Sequence, residues 1–217
     1  VIVQEQRTAR HWDLAYRHGT VFEQVTDAEQ QMFATFVRTI REAQDMRVGC
    51  RAVDIGCGTG EWTRALAAMG IDVRGFDFSA VALSKARKLS LGARSDRQPS
   101  YELWDVNTDP IPTSLVPGTI DIVTCRLSLS YLDVARFLTD VRRWLAPEGV
   151  LHVVTKVAEK QPEPPEMGPY VLPHRGLDER QLKALCQGWR SVDGYKLDPQ
   201  GETTALVLQH PVDASFP

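Results

Sequence analysis

The four cysteines among the 217 residues, at positions 50, 57, 125 and 186, form no C-x-x-C pair. Neither a zinc knuckle nor a disulfide framework is expected, no metal site is indicated, and a reducing cytoplasmic setting fits best. No apolar run approaches the roughly 20 residues that cross a bilayer, and the opening residues turn polar after three positions. The sequence therefore predicts no membrane span and no secretory signal. Basic residues are not massed either: 25 Lys and Arg against 28 Asp and Glu leave a net charge of −3, which argues against nucleic acid as a partner. Nothing repeats. What is present, 43% hydrophobic and 24% charged residues, is enough for one sizeable core. The 19 arginines against 6 lysines, with abundant Ala and Val, have the look of a GC-rich genome.

From residue 51 onward, short β-branched runs alternate with longer helical patterns, the signature of a parallel sheet covered on both faces by helices. Strands are expected over 52–55, 72–76, 100–104, 120–125, 150–157, 192–197 and 203–209, with helices over 60–69, 79–89, 133–145 and 178–189. Ser79 and Asp133 suit N-cap positions, and Pro147 with Gly149 should close the helix ending at Leu145. Only residues 198–202 separate the last two strands, too few for a parallel crossover, so they should form an antiparallel hairpin. The expectation is an α/β, doubly wound, seven-stranded sheet, mostly parallel with one antiparallel strand near the C-terminus. Ahead of it, helical patterns over 7–17 and 27–47, the second with Phe33, Phe36, Val37 and Ile40 on one face, read as a helical cap over 1–47. Cap and core (48–211) are taken as one domain spanning 1–217. The stretch 159–176, with five prolines, should be a loop.

The chemistry concentrates at three strand ends. Val53-Asp54-Ile55-Gly56-Cys57-Gly58-Thr59-Gly60-Glu61-Trp62 is a buried strand ending in an acid and three alternate glycines that open a helix, a turn on which a ligand can press against backbone. A dinucleotide fingerprint would want its third glycine or alanine at position 63, which is Thr63; a nicotinamide or flavin cofactor is disfavoured. Asp77, in Gly75-Phe76-Asp77-Phe78-Ser79, ends the next strand, where a carboxylate can accept both hydroxyls of a ribose. Asp105, in Leu103-Trp104-Asp105-Val106-Asn107, ends the third, where it can accept from an exocyclic adenine amine while Val106 offers its backbone N–H. So negative a rim suits a nucleoside carrying positive charge better than a phosphate.

These tips, in this order, resemble the class I S-adenosylmethionine-dependent methyltransferases over about residues 51–209, which implies a Rossmann-like core with S-adenosyl-L-methionine as cofactor and S-adenosyl-L-homocysteine as product. The resemblance implies that Asp54, Gly56, Gly58 and Gly60 line the methionine and ribose part, that Asp77 holds the diol, that Asp105 and Val106 hold the adenine, and that Phe78 packs on its face. Asp121-Ile122-Val123-Thr124-Cys125-Arg126-Leu127-Ser128 is similar to the family's fourth motif, whose strand end borders the sulfonium and the acceptor, which implies a place for Arg126 in the cofactor site; Arg126 either faces the substrate or pairs with an acid. The run from Arg142 through Pro147 and Gly149 to Leu151 is similar to its helix–Pro–Gly–strand passage. Upstream, Trp12, Tyr16 and Gly19 resemble the W-x-x-x-Y-x-x-G opening of the tellurite-resistance and thiopurine methyltransferase-like group, which implies that Trp12 and Tyr16 close over the cofactor; the Trp such proteins often carry a few residues later is Phe22 here.

A sulfonium cofactor supplies the electrophile, so the protein must align the acceptor and, where needed, take its proton. His174 on the proline-rich loop ranks first as the base, followed by Tyr131, His11 and His18. With no Asn/Asp-Pro-Pro-Tyr-type run after the fourth strand, a small-molecule acceptor methylated on O or N, in bacterial secondary-metabolite or antibiotic biosynthesis, is preferred, on a monomer or homodimer. The alternatives are an oxidoreductase, a non-catalytic cofactor-binding module, and a methyltransferase for protein or nucleic acid.

Overall fold

A computed structural model of the chain describes residues 8–19, 24–43, 49–92, 97–160 and 175–212. Seven strands form one sheet in the order β3-β2-β1-β4-β5-β7-β6, where β1 is Arg51–Ile55, β2 Asp72–Asp77, β3 Ser100–Leu103, β4 Ile120–Arg126, β5 Leu145–Lys156, β6 Trp189–Lys196 and β7 Thr203–Pro211. β1 to β5 are parallel, and only β7 runs against its neighbours β5 and β6. The expected hairpin joins β6 and β7, with the Asp198 carboxylate accepting the Glu202 and Thr203 N–H groups at 3.0 and 2.6 Å.

Central β1 and β4 are buried almost throughout, as strands covered on both faces must be, whereas the edge strands β3 and β6 are largely exposed. Alternation along the strands divides the core into two layers. Val53, Ile55, Val123, Leu151 and Val153 pack against Phe137, Val141 and Trp144 of α5 (Val134–Trp144) and Leu185 of α6 (Glu179–Leu185). Ala52, Val73, Ile122 and Val150 meet Trp62 and Leu66 of α3 (Glu61–Ala68), together with Phe33 and Val37 of α2 (Asp27–Ala43). α2 is thus part of the core on one sheet face. α1 (Ala9–Arg17) lies on α4 (Ala80–Leu91), where Trp12 and Tyr16 pack with Ala82, Phe78 and Val81. The expected N-caps are present: Ser79 Oγ accepts the Ala82 N–H at 3.1 Å, and the Asp133 carboxylate accepts the Arg136 N–H at 3.1 Å.

Two boundaries differ from the sequence reading. α5 stops at Trp144 and β5 starts at once at Leu145, through Pro147, rather than at residue 150. The Gly118 and Thr119 N–H groups cap the carbonyls of Arg143 and Trp144, Leu145 pairs with Ile120, and a bulge absorbs the extra residues before Val150 pairs with Ile122. α6 ends at Leu185, and Trp189 begins β6 instead of closing the helix. Gly188 between them has φ +77°, and a Cβ there would meet the Arg142 guanidinium at 2.5 Å; the turn favours glycine, and it delivers Trp189 beneath Arg142, whose Cζ lies 5.3 Å from the ring centroid. Among the described residues no helix is long and apolar enough to cross a membrane.

Candidate active site

The carboxyl ends of β1 to β4 open onto a cavity of about 680 Å³, walled by Gly56, Asp77, Phe78, Trp104 to Thr108, Ser128 and Ser130 to Val134, and closed by Trp12 and Tyr16 of α1 and by Arg175, Leu177 and Gln181 ahead of and on α6. A smaller chamber of about 90 Å³ shares Trp12, Tyr16, Gly56 and Ser128 and adds Asp54, Gly58, Arg126 and Val25. Ligands of open α/β sheets bind in this crevice, beyond the strand ends.

Asp77 is the best-prepared group on the wall. Its two oxygens accept the Gly58 and Ser79 N–H groups, each at 2.8 Å, and each oxygen keeps a lone pair for a ligand hydroxyl. Burial pushes its pKa up to about 6 against those bonds. Asp54, 1% exposed, sits deeper: the hydroxyls of Thr63 and Thr124 donate to its two oxygens at 2.7 and 2.9 Å. Desolvation raises its pKa to about 6 as well, offset by those hydroxyls and by Arg126. Thr63, the residue that breaks a dinucleotide fingerprint, is here the partner of the motif's acid.

Asp105 shapes the loop after β3, accepting the Asn107 N–H at 2.9 Å while its own N–H donates to Asp109. Val106 is buried on the cavity wall, and among the described residues no acceptor meets its N–H. Trp104 Nε1, buried beside the same loop, likewise has no partner among the described residues. Asn107 ties this loop to the end of β4: its Nδ2 donates to the Tyr131 carbonyl at 3.0 Å and its Oδ1 accepts the Asp133 N–H at 2.7 Å. Arg136 donates to the carbonyls of Asn107 and Asp109 and fixes the loop to α5.

The aromatic side of the cavity is a cluster around Trp12, edge-on to Tyr131 at 5.1 Å between centroids and 6.2 and 6.4 Å from Tyr16 and Phe78. α1 is anchored there by Asp13, whose carboxylate accepts the Ser79 hydroxyl at 2.6 Å, and by Lys85, which donates to the Tyr16 carbonyl. Burial, then Asp77, raise the Tyr16 phenol well above its ordinary pKa, so it is a neutral wall.

The three glycines of the turn do not behave alike. All have positive φ, and a Cβ would meet Ser128 Oγ at 2.4 Å from Gly56, Tyr16 Oη at 2.7 Å from Gly58, and Tyr101 Oη at 2.5 Å from Gly60. Gly56 and Gly58 line the chambers. Gly60 lines neither; the space that its Cβ would occupy is filled by Tyr101 of β3. Arg126 lines only the smaller chamber and is engaged elsewhere: its Nε and Nη2 reach the two oxygens of Glu29 on α2 at 2.7 and 3.0 Å, and Nη2 also donates to the Gln24 carbonyl at 3.1 Å. Of the candidate bases, Tyr131 is on the cavity wall, its hydroxyl accepting the Arg175 N–H at 3.2 Å. His11 and His18 are exposed and line neither chamber. His174 lies outside the described residues. Ser128, Ser130, Asn107 and Arg175 are wall residues that sequence patterns left unmarked.

Residues 53–151 match the sequence model of the family described as "Methyltransferase domain". Over that stretch, 99 of the 217 residues, the chain is similar to methyltransferase domains. A ubiquinone biosynthesis O-methyltransferase of Burkholderia orbicola is 38% identical over 84 residues, 39% of this chain and 34% of that one; the chain thus spans about a third of that relative's length. The crystal structure of the [4+2]-cyclase SpnF shares the fold with a TM-score of 0.61 at 18% identity, covering 95% of this chain and 96% of that one. An S-adenosylmethionine-dependent methyltransferase from Mesorhizobium loti superposes with a TM-score of 0.56 at 21% identity, covering 79% and 96%.

The wall suits S-adenosyl-L-methionine, the cofactor that the strand-tip motifs imply. A carboxylate with spare lone pairs for a diol, an unmet backbone donor for a purine nitrogen and acids at successive strand tips for a positive charge are all present around one cavity.

Proposed function

We propose that this protein transfers the methyl group of S-adenosyl-L-methionine to an oxygen or nitrogen of a small-molecule acceptor, as a tailoring step in bacterial secondary metabolism. The observation that carries the reading is the Asp77 carboxylate, fixed on the cavity wall by the Gly58 and Ser79 N–H groups. A volume of about 680 Å³ lies within the range of roughly 300–1,000 Å³ usual for ligand pockets, which leaves space beside a nucleoside for a modest acceptor. The O-methyltransferase relative from Burkholderia favours oxygen over nitrogen. The Trp12–Tyr16 wall supports a likeness to the tellurite-resistance and thiopurine methyltransferase-like group.

When bound, the cofactor supplies an electrophilic methyl on a sulfonium with a neutral leaving group. The residues of the chain bind and orient. Asp77 would hold the ribose diol, the Val106 N–H and Asp105 the adenine, and Phe78 its face, while Trp12 and Tyr16 exclude water from above. Asp54, satisfied by Thr63 and Thr124, supports the turn from beneath. Tyr131 would accept the acceptor's proton as its phenolate in this reading, being the one candidate base of the sequence that the described residues place on the wall. Alignment of this kind accounts for a large share of a transfer rate.

Calorimetric titration with S-adenosylhomocysteine, with NADH in parallel, tests the reading, followed by a mass-spectrometric screen of phenolic, hydroxy-acid and amine acceptors for a one-methyl gain. Saturable binding of the thioether and a methylated product are expected. Binding of NADH instead would overturn the class. Thioether binding without any methylated product would leave a cofactor-binding module, a reading that the [4+2]-cyclase with the same fold keeps in view.

A further inference from the structure

The cavity wall carries charge of both signs. Its described acids, Asp77, Asp105 and Asp133, stand at the end of β2, on the loop after β3 and just ahead of α5. Among the described wall residues Arg175 is the single cation. Its backbone is held on both sides by the residues that follow β4: the Ser130 hydroxyl donates to the Arg175 carbonyl at 2.8 Å, and the Arg175 N–H donates to the Tyr131 hydroxyl at 3.2 Å. The root of this side chain is therefore fixed next to Tyr131. The other arginines near the site are engaged, Arg126 by Glu29 and Arg136 by the loop carbonyls and Asp140. For Arg175 no side-chain hydrogen bond or ion pair occurs within the described residues, and the side chain is exposed at the rim.

A guanidinium rooted beside Tyr131 matches the fork of a carboxylate or phosphate oxygen pair. We infer that Arg175 selects a methyl acceptor bearing an anionic group of the carboxylate class, placed so that its nucleophilic atom lies toward Tyr131. The inference rests on the methyltransferase reading above and adds the acceptor's charge. It also accounts for the two signs of charge on the wall: the acids take the cationic cofactor, and the arginine offsets for an anionic acceptor the repulsion that those acids would exert.

The test uses the full chain loaded with S-adenosylhomocysteine and titrated with two ring-matched probes, 4-hydroxybenzoate and its uncharged methyl ester. The wild type should bind the anion more tightly than the ester, and Arg175→Gln should lose roughly tenfold for the anion and little for the ester. Arg175→Lys should keep part of the preference, since charge remains but the fork does not. Equal affinity of the two probes for the wild type, binding of neither, or a preference that survives in Arg175→Gln would each overturn the inference. Thioether binding is read first in each variant, so its loss, which would count against the methyltransferase reading, is distinguished from loss of anion recognition.

Discussion

The Asp77 carboxylate accepts the Gly58 N–H at 2.8 Å, so the acid at the tip of β2 is also the fastener of the glycine turn after β1. One side chain thereby couples the shape of the turn to the diol site. Asp77→Ala should weaken S-adenosylhomocysteine binding by roughly 1–3 kcal/mol, through lost bonds to the diol and a loosened Gly58. Calorimetry on the variant checks this, with circular dichroism confirming that the sheet persists. An affinity equal to that of the wild type would take Asp77 out of the site.

Acidity at the same carboxylate gives a pH dependence with a definite sign. Burial raises its pKa to about 6, so the folded protein holds this proton more tightly than the unfolded chain. The group's stabilising contribution is fully present below the unfolded value near 4 and is lost as pH rises through about 6. A sulfonium cofactor favours the opposite, ionised form. The rise in melting temperature produced by S-adenosylmethionine should therefore widen from about pH 5 to about pH 7.5 in the wild type and flatten in Asp77→Asn. Asp54, raised to about 6 as well, adds in the same direction, so a residual slope is expected in the variant. A rise no larger at the upper pH would contradict the assignment of either acid to the cofactor side.

Much of this arrangement was legible beforehand because it is local. Alternating β and α patterns located the seven strands, and a strand followed by Asp and alternate glycines, or by a lone Asp, marked each tip within a few residues. What was not legible depends on chain segments meeting across the sheet. Nothing near Arg126 in the sequence announces Glu29, yet their two-point ion pair decides what Arg126 does. Gly60 reads as one of three equivalent glycines until Tyr101 of β3 is seen against it. Gly188 looked like an interior residue of a helix running to Trp189, and it is the positive-φ residue that ends the turn. Arg175 sits in a proline-rich stretch without periodicity, and only its hydrogen bonds to Ser130 and Tyr131 place it on the wall.

The ion pair makes its own prediction. Glu29 is buried at 3% side-chain exposure and Arg126 at 13%, so removing one partner strands a charge within the structure. Arg126→Met should lower stability by about 3 kcal/mol, the low end for a broken buried pair because Arg126 keeps some solvent. A shorter loss is expected for the double variant Glu29→Gln with Arg126→Met, in which no charge is left alone. Urea denaturation of the three proteins reads both effects. Identical midpoints for wild type and Arg126→Met would mean that the pair does not hold α2 to the end of β4.

Gly60 separates packing from ligand contact within one motif. Alanine there must adopt φ near +73° and place its Cβ 2.5 Å from Tyr101 Oη, a combination of backbone strain and overlap worth roughly 1–3 kcal/mol. Tyr101→Ala in the same chain should recover the overlap but not the strain, so a double-mutant cycle should show favourable coupling between the two substitutions. Because Gly60 lines neither chamber, the protein that remains folded should bind S-adenosylhomocysteine within a few-fold of the wild type. Gly58→Ala, whose Cβ would meet Tyr16 Oη at 2.7 Å on the chamber wall, should instead lose affinity as well as stability. A Gly60→Ala protein that stays stable but no longer binds the thioether would return Gly60 to the cofactor site.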